Sequence, residues 1–342
     1  TALEGNPLSE AEVSQQMDLL EHPSEAALPR ATKEQLQIRN AGIAQQWVKL
    51  RFDPAHAPLR LEDILYMHRK VTEASDETNN IPGEFRNFSV VVGSPAMGGV
   101  HRGAPHEDVP GLMNDYITFV NSPRLLDQHP VIRALLAHFF LVTIHPFGDG
   151  NGRVSRLVEA GTLFQGGYNV LGFYGLSNYF YRNEVEYKTL LQKCRQVQPF
   201  DLTPFVTFGL KGFASELKGI NNFIKAKLNR VVYRTTLVRA CNMKTRANGR
   251  RRVLNQREYQ LLDFLLHETE PADPFSENPS RQVKFSELLT APFIKTAYGR
   301  VTQRTFFREL TRLAQLGFIH FGRHSTQGEP VIELDFEAIG KY

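Results

Sequence analysis

Through the N-terminal two thirds of the chain, apolar residues recur at three- and four-residue intervals, the period of helices with one face in a core. Residues 59–72 are the clearest case, with Leu61, Ile64, Leu65, His68 and Val71 on one side. Residues 33–50 carry a looser stripe at Leu36, Ile43, Trp47, Val48 and Leu50. Leu112, Met113, Tyr116, Ile117 and Val120 repeat the pattern. Between Pro130 and Ile144 the only formally charged residue is Arg133, so this helix is predicted to be buried all round. Further helices are predicted over 152–165, 176–196 and 203–244. Period-two signal is scarce. Phe88-Ser89-Val90-Val91-Val92 reads as one strand, and Met97-Gly98-Gly99-Val100 as its hairpin return.

The tail changes character. Residues 255–267 form an amphipathic pattern with Asn255 as cap and Glu258 three positions later, a capping box. A short helix over 284–290 and a longer one over 302–316 follow, closed by Gly317. Residues 318–321 and 331–336 alternate like two strands. Helix, short helix, long helix and two-stranded wing is winged-helix order. The fold class expected is therefore mainly α, a helical core with a small β-hairpin followed by a winged helix-turn-helix domain. The expected domains are 1–60 (N-terminal helical), 61–215 (core), 216–252 (basic helical linker) and 253–342 (winged helix).

Composition narrows the class. At 342 residues the chain has room for about two domains, and 42% apolar side chains exclude a disordered chain. Two cysteines, Cys194 and Cys241, exclude a disulfide scaffold. No apolar run is long enough to cross a membrane, and the acidic, Pro-broken first thirty residues do not resemble a secretory signal. A cytoplasmic location is expected, and a chain starting at Thr1 points to residues upstream. The net charge is only +4, yet residues 217–257 hold twelve Lys or Arg and no acid. That segment is either a solvated helix face or a surface for a polyanion.

The informative stretch is 145–156, H-P-F-G-D-G-N-G-R-V-S-R. The apolar helix stops at Pro146, and a loop with three glycines leads into a new helix. Gly150, Asn151 and Gly152 let backbone N–H groups converge at that helix N-terminus, a ready anion site. Arg153 and Arg156 share a face in the first turn, where cations oppose the macrodipole unless an anion sits between them. Asp149 could bridge a divalent cation to phosphate oxygens. His145 is the nearby group able to take a proton near neutrality. The set reads as nucleotide phosphates, magnesium and a general base. No Walker pattern occurs, and no strand precedes the loop as a dinucleotide fingerprint requires.

At these residues the chain resembles Fic proteins, whose signature H-x-F-x-[DE]-G-N-G-R-x-x-R is matched at every fixed position by residues 145–156. Ile81-Pro82-Gly83-Glu84-Phe85-Arg86 resembles the P-G-x-[FY]-R segment before the family's flap. The resemblance implies that His145 deprotonates a Ser, Thr or Tyr hydroxyl of a target protein, which attacks the α-phosphorus of ATP and keeps AMP. It implies Asp149 as the Mg2+ residue, Phe147 as a core anchor, and Gly150, Asn151 and Gly152 as the anion hole. Arg153 would lie near the β-phosphate, Arg156 on the γ-phosphate and Tyr187 near adenine, with Lys188 replacing the second Tyr of the family's pair. Phe88, Ser89, Val90, Val91 and Val92 would form the flap strand that pairs with the target backbone. Glu4-Gly5 resembles the last two places of the inhibitory motif [ST]-x-x-x-E-[GN], whose Ser or Thr would fall one residue before Thr1, and the resemblance implies that Glu4 pairs with Arg156.

The expected function is thus a protein adenylyltransferase, autoinhibited by Glu4, able also to modify itself and to remove AMP. Its C-terminal domain would engage DNA or a protein partner, DNA through Gln303, Arg304, Arg308 and Arg312, and a homodimer is compatible. The alternative is a DNA-binding winged-helix regulator whose Fic part senses nucleotide.

Overall fold

The computed structural model describes residues 8, 12–13, 15–16, 19, 31–52, 58–74, 79–95, 99–168, 176–197, 199, 201–243, 252–271, 283–323 and 328–342. Glu4 and residues 244–251 of the expected basic linker lie outside them. The chain divides into two compact units, Thr1–Glu216 and Leu217–Tyr342.

The first unit is helical. Helix α1 (Lys33–Arg51) starts at a capping box: Thr32 Oγ1 accepts from Gln35 N–H at 3.3 Å and Thr32 N–H donates to Gln35 Oε1 at 3.0 Å. Helix α2 (Leu61–Thr72) buries Ile64, His68 and Val71 of the expected stripe together with Met67, while Leu61 and Leu65 are half-buried. A hairpin follows, β1 (Val91–Ser94) paired antiparallel with β2 (Gly99–Arg102), Val92 opposite His101. The strand thus begins three residues later than expected. Arg86 donates to Phe88 O and ties the chain ahead of the strand to the core, while Gly103 N–H donates to Val90 O in the register of the hairpin.

Helices α3 (Val109–Val120) and α4 (Pro123–Leu126) lead to α5 (Pro130–Ile144). Proline opens α5, where its missing N–H costs nothing. Leu135, Phe139 and Leu141 are wholly buried, so α5 is the central helix its apolar run predicted. Helix α6 (Asn151–Gln165) packs against it. The helix expected over 176–196 is two, α7 (Leu176–Arg182) and α8 (Glu184–Gln196). Asn183 breaks them: its backbone leaves the helical region, and its side chain donates to Tyr179 O at 2.9 Å.

Helix α9 (Thr203–Asn242) contributes its first part to this unit and the remainder to the second. In the second unit Tyr233, Leu237 and Ala240 of α9 join a core with α10 (Gln256–Glu268), which carries the predicted Asn255–Glu258 capping box. Strand β3 (Val283–Lys284), α11 (Phe285–Thr290), α12 (Pro292–Tyr298), α13 (Gln303–Gln315), β4 (Ile319–Arg323) and β5 (Pro330–Leu334) complete it, with sheet order β3-β5-β4, all antiparallel. On α13 the expected DNA-facing Arg312 is engaged internally. It donates to Val253 O at 2.7 Å and pairs with the buried Glu258, while Glu309 takes Arg257 at 2.7 Å.

Candidate active site

Helix α5 ends on His145, which adopts φ 56°, ψ 60°, a left-handed conformation uncommon for a residue with a Cβ. What holds it there is Arg86. This side chain, 5% exposed, donates to His145 O at 2.7 Å, Phe88 O at 2.6 Å and Ala104 O at 2.5 Å, and its own N–H donates to Pro146 O at 3.0 Å. One buried guanidinium therefore joins the flap base to the residue expected to act as base. Burial pulls its pKa down.

His145 Nδ1 faces Val142 O at 3.3 Å. A carbonyl oxygen only accepts, so Nδ1 carries the proton and Nε2 is left as the basic nitrogen. Burial, partly offset by the Val142 hydrogen bond and reinforced by Arg195, His101 and Arg86, lowers its pKa to about 4. The ring is therefore neutral at physiological pH. Arg195 donates to Thr143 Oγ1 at 3.0 Å and to Val142 O at 3.3 Å, and burial lowers its pKa to about 10.

The loop after His145 is fixed from three sides. Phe147 is wholly buried, and its N–H and C=O are both taken by the Asn151 side chain, at 2.9 and 2.8 Å. His68 of α2 stacks on the Phe147 ring, centroids 3.7 Å apart. Gly83 N–H donates to His68 Nδ1 at 2.9 Å, so Nε2 holds the proton and donates to Asp149 O at 3.1 Å. Burial lowers the His68 pKa to about 4. Asn80 Oδ1 accepts from Asp149 N–H at 3.0 Å. Gly150 then takes φ 79°, where a Cβ would meet Thr72 Cγ2 at 2.8 Å.

Helix α6 begins without a side-chain cap. Its first-turn N–H groups have no intrahelical acceptor, and Gly150, Asn151 and Gly152 line a cavity of about 280 Å³. Asp149, Arg156, Tyr187, Lys188 and His145 line the same cavity, with Val92, Gly93, Gly99 and His101 of the hairpin. The structure thus brings together most of the residues expected from the sequence.

Two expectations change. Arg153 does not line the cavity: it is 5% exposed and turned inward, donating to Val71 O at 2.9 Å and to Asp149 Oδ2 at 2.5 Å. The Asn151 amide braces the loop, and its backbone N–H stays available for an anion, as expected. Among the flap residues only Val92 reaches the cavity, and Phe88, Ser89 and Val90 lie outside the strand. His68, Arg86, Gln192 and Arg195 carry roles that the sequence did not assign. Gln192 Nε2 donates to Val100 O at 3.2 Å, fastening α8 to the hairpin. The signals for two of them were a histidine on an apolar helix face and the arginine that closes the P-G-x-[FY]-R resemblance at residues 82–86.

Among the described residues Asp149 is the one carboxylate on the cavity wall, and no cluster of three metal-ligating side chains occurs. Magnesium suits such a site, since it usually keeps its waters and takes one or two carboxylates plus substrate phosphates.

Fold and cavity together define a helical protein in which an uncapped helix N-terminus and an imidazole base share one pocket. Residues 58–161 match the Fic/DOC family, so the chain carries a Fic domain. It is similar to the Protein adenylyltransferase Fic of Aedes aegypti, 35% identical over 166 residues, 48% of this chain and 31% of that protein. The chain thus spans about a third of the length of the curated relatives it matches. A Fic family protein from Desulfovibrio desulfuricans shares the fold at TM-score 0.51 and 19% identity, over 97% of this chain and 83% of that one. A Fic-1 fragment from C. elegans aligns at TM-score 0.50 and 26% identity, over 66% of this chain and 61% of its own.

Proposed function

We propose that this chain is a protein adenylyltransferase, moving AMP from ATP to a hydroxyl side chain of a target protein. The observation that carries the reading is that His145, the uncapped N-terminus of α6 and Arg156 line one cavity together with the hairpin. The triphosphate lies on the Gly150–Gly152 N–H groups with Arg156 at its far end. The target hydroxyl gives its proton to His145 Nε2 as its oxygen bonds to the α-phosphorus, and the bond to pyrophosphate breaks in line. Asp149 would hold Mg2+, which neutralises charge on the phosphates. Arg153 acts indirectly, orienting the Asp149 carboxylate.

The hairpin presents the target. Strand β1 pairs with β2 on one edge, and its other edge has no strand partner among the described residues. Val91 is 62% exposed on that strand. A target segment adding there forms main-chain hydrogen bonds that place its hydroxyl over His145. Glu4 restrains the reaction by pairing with Arg156. The C-terminal unit, read as a winged helix, recruits partners, and the chain works in the cytoplasm; no helix among the described residues is long and apolar enough to cross a membrane. The reading of a DNA-binding nucleotide sensor gains less support, because a sensor needs no base and Arg312 is already engaged.

Intact mass after incubation with ATP and magnesium tests the reading. One AMP added to the chain or to a co-incubated target, absent in His145→Ala and increased in Glu4→Gly, is the expected result. Equal transfer by wild type and Glu4→Gly at saturating ATP refutes the restraint. Equal transfer by wild type and His145→Ala refutes the base.

A further inference from the structure

Beneath the cavity lies a chain of polar groups that the reaction does not use. His138 on α5 is wholly buried, Glu159 on α6 is 2% exposed and Tyr187 on α8 is 6% exposed. His138 Nδ1 lies 2.9 Å from Glu159 Oε2, off the hydrogen-bond angle, and neither atom has a hydrogen-bond partner. Two lone pairs that close in a dry core would repel, so a proton sits between them. With Nδ1 protonated towards the carboxylate, Nε2 accepts, and the Tyr187 O–H donates to it at 2.9 Å. The phenol ring stacks on Phe180 at 4.7 Å and lines the cavity.

Burying a carboxylate and an imidazole here is costly, and apolar side chains of similar volume would usually stabilise at least as well. What the polar chain supplies is position. His138 stands two turns before His145 on the same helix, and Glu159 nearly one turn after Arg156. Tyr187 adds the third helix at the wall of the cavity. We propose that Glu159, His138 and Tyr187 form a buried positioning chain that sets the Tyr187 wall of the nucleotide cavity relative to the phosphate-binding end of α6. The inference rests on the nucleotide reading of the cavity.

The test is ATP affinity of the full chain by calorimetry, for Tyr187→Phe, Glu159→Gln and the double variant, with thermal unfolding of each. A lost hydrogen bond in such a network predicts about tenfold weaker binding in each single variant. The double variant should be no weaker than the worse single, because both break one chain. Leu163→Ala, a buried change on α6 outside the chain, should lower the unfolding temperature and leave ATP affinity unchanged. Tyr187→Phe removes one hydroxyl and decides the matter even where Glu159→Gln does not fold. Affinity within twofold of wild type in Tyr187→Phe, or a double variant whose losses multiply, overturns the proposal. A chain that binds ATP with these effects yet transfers no AMP refutes the reaction and leaves the positioning chain standing. Wild-type affinity in the variants with intact transfer does the reverse.

Discussion

Acid should loosen this protein through His68, and the size of the effect follows from where the ring sits. His68 is wholly buried, accepts from Gly83 N–H, donates to Asp149 O and stacks on Phe147. Burial lowers its pKa to about 4, against about 6.5 in the unfolded chain. Between those values the unfolded chain binds the proton and the fold does not, so stability rises with pH through that window and is lost on acidification. At pH 5 the deficit for this one ring is about 2 kcal/mol relative to pH 7. That is a large share of the 5–15 kcal/mol typical of a domain. Urea unfolding at pH 7 and pH 5 measures it, in wild type and in His68→Gln. The Gln side chain does not titrate, so the variant, although less stable at pH 7, should lose about 2 kcal/mol less on acidification. Equal losses in the two proteins would refute the assignment of a neutral, proton-excluding ring.

Three further outcomes are expected. Arg86→Met removes the donor from three carbonyls and should cost about 3 kcal/mol; amide exchange over residues 88–104 should accelerate, and unchanged exchange would deny the clamp. Asn151→Asp keeps the acceptor for Phe147 N–H and loses the donor to Phe147 O, costing about 2 kcal/mol in chemical unfolding; wild-type stability would show the amide is not a brace. Because burial lowers the His145 pKa to about 4, the kcat/KM profile should stay level from pH 8 down past 6.5 wherever the fold persists, and an acid limb centred at 6.5 would contradict the buried geometry.

Much of this site was legible because its information is local. Three glycines after an apolar helix announce an anion loop, and the resemblance of residues 145–156 to the Fic signature gives each position a role. The fifteen-residue apolar run predicted α5 because all-round hydrophobicity has one solution in water. What sequence spacing does not carry is where a long side chain turns. Arg153 and Arg156 share a face by spacing, yet Arg153 folds inward because Val71 O and Asp149 are there to receive it, contacts 82 and 4 residues away. The strand began late for the same reason. The β-branched run starts at Val90, whose carbonyl takes the in-register bond from Gly103 N–H, but Arg86 claims Phe88 O first. His68 and Arg86 take their site roles through Asp149 and His145, partners 81 and 59 residues away.

The bracing of the loop by Asn151 has a consequence for how the protein ages. Asn151 is followed by Gly152, the pairing in which a backbone nitrogen most readily attacks the preceding side-chain amide and converts Asn to Asp or isoaspartate. In the folded chain that amide is 3% exposed and held at both ends by Phe147, inside the first turn of a helix whose geometry keeps the nitrogen from its target. Only the unfolded fraction is open to the reaction. Each conversion there yields a chain that can no longer close the loop from both sides, so damage at Asn151 accumulates in proportion to time spent unfolded.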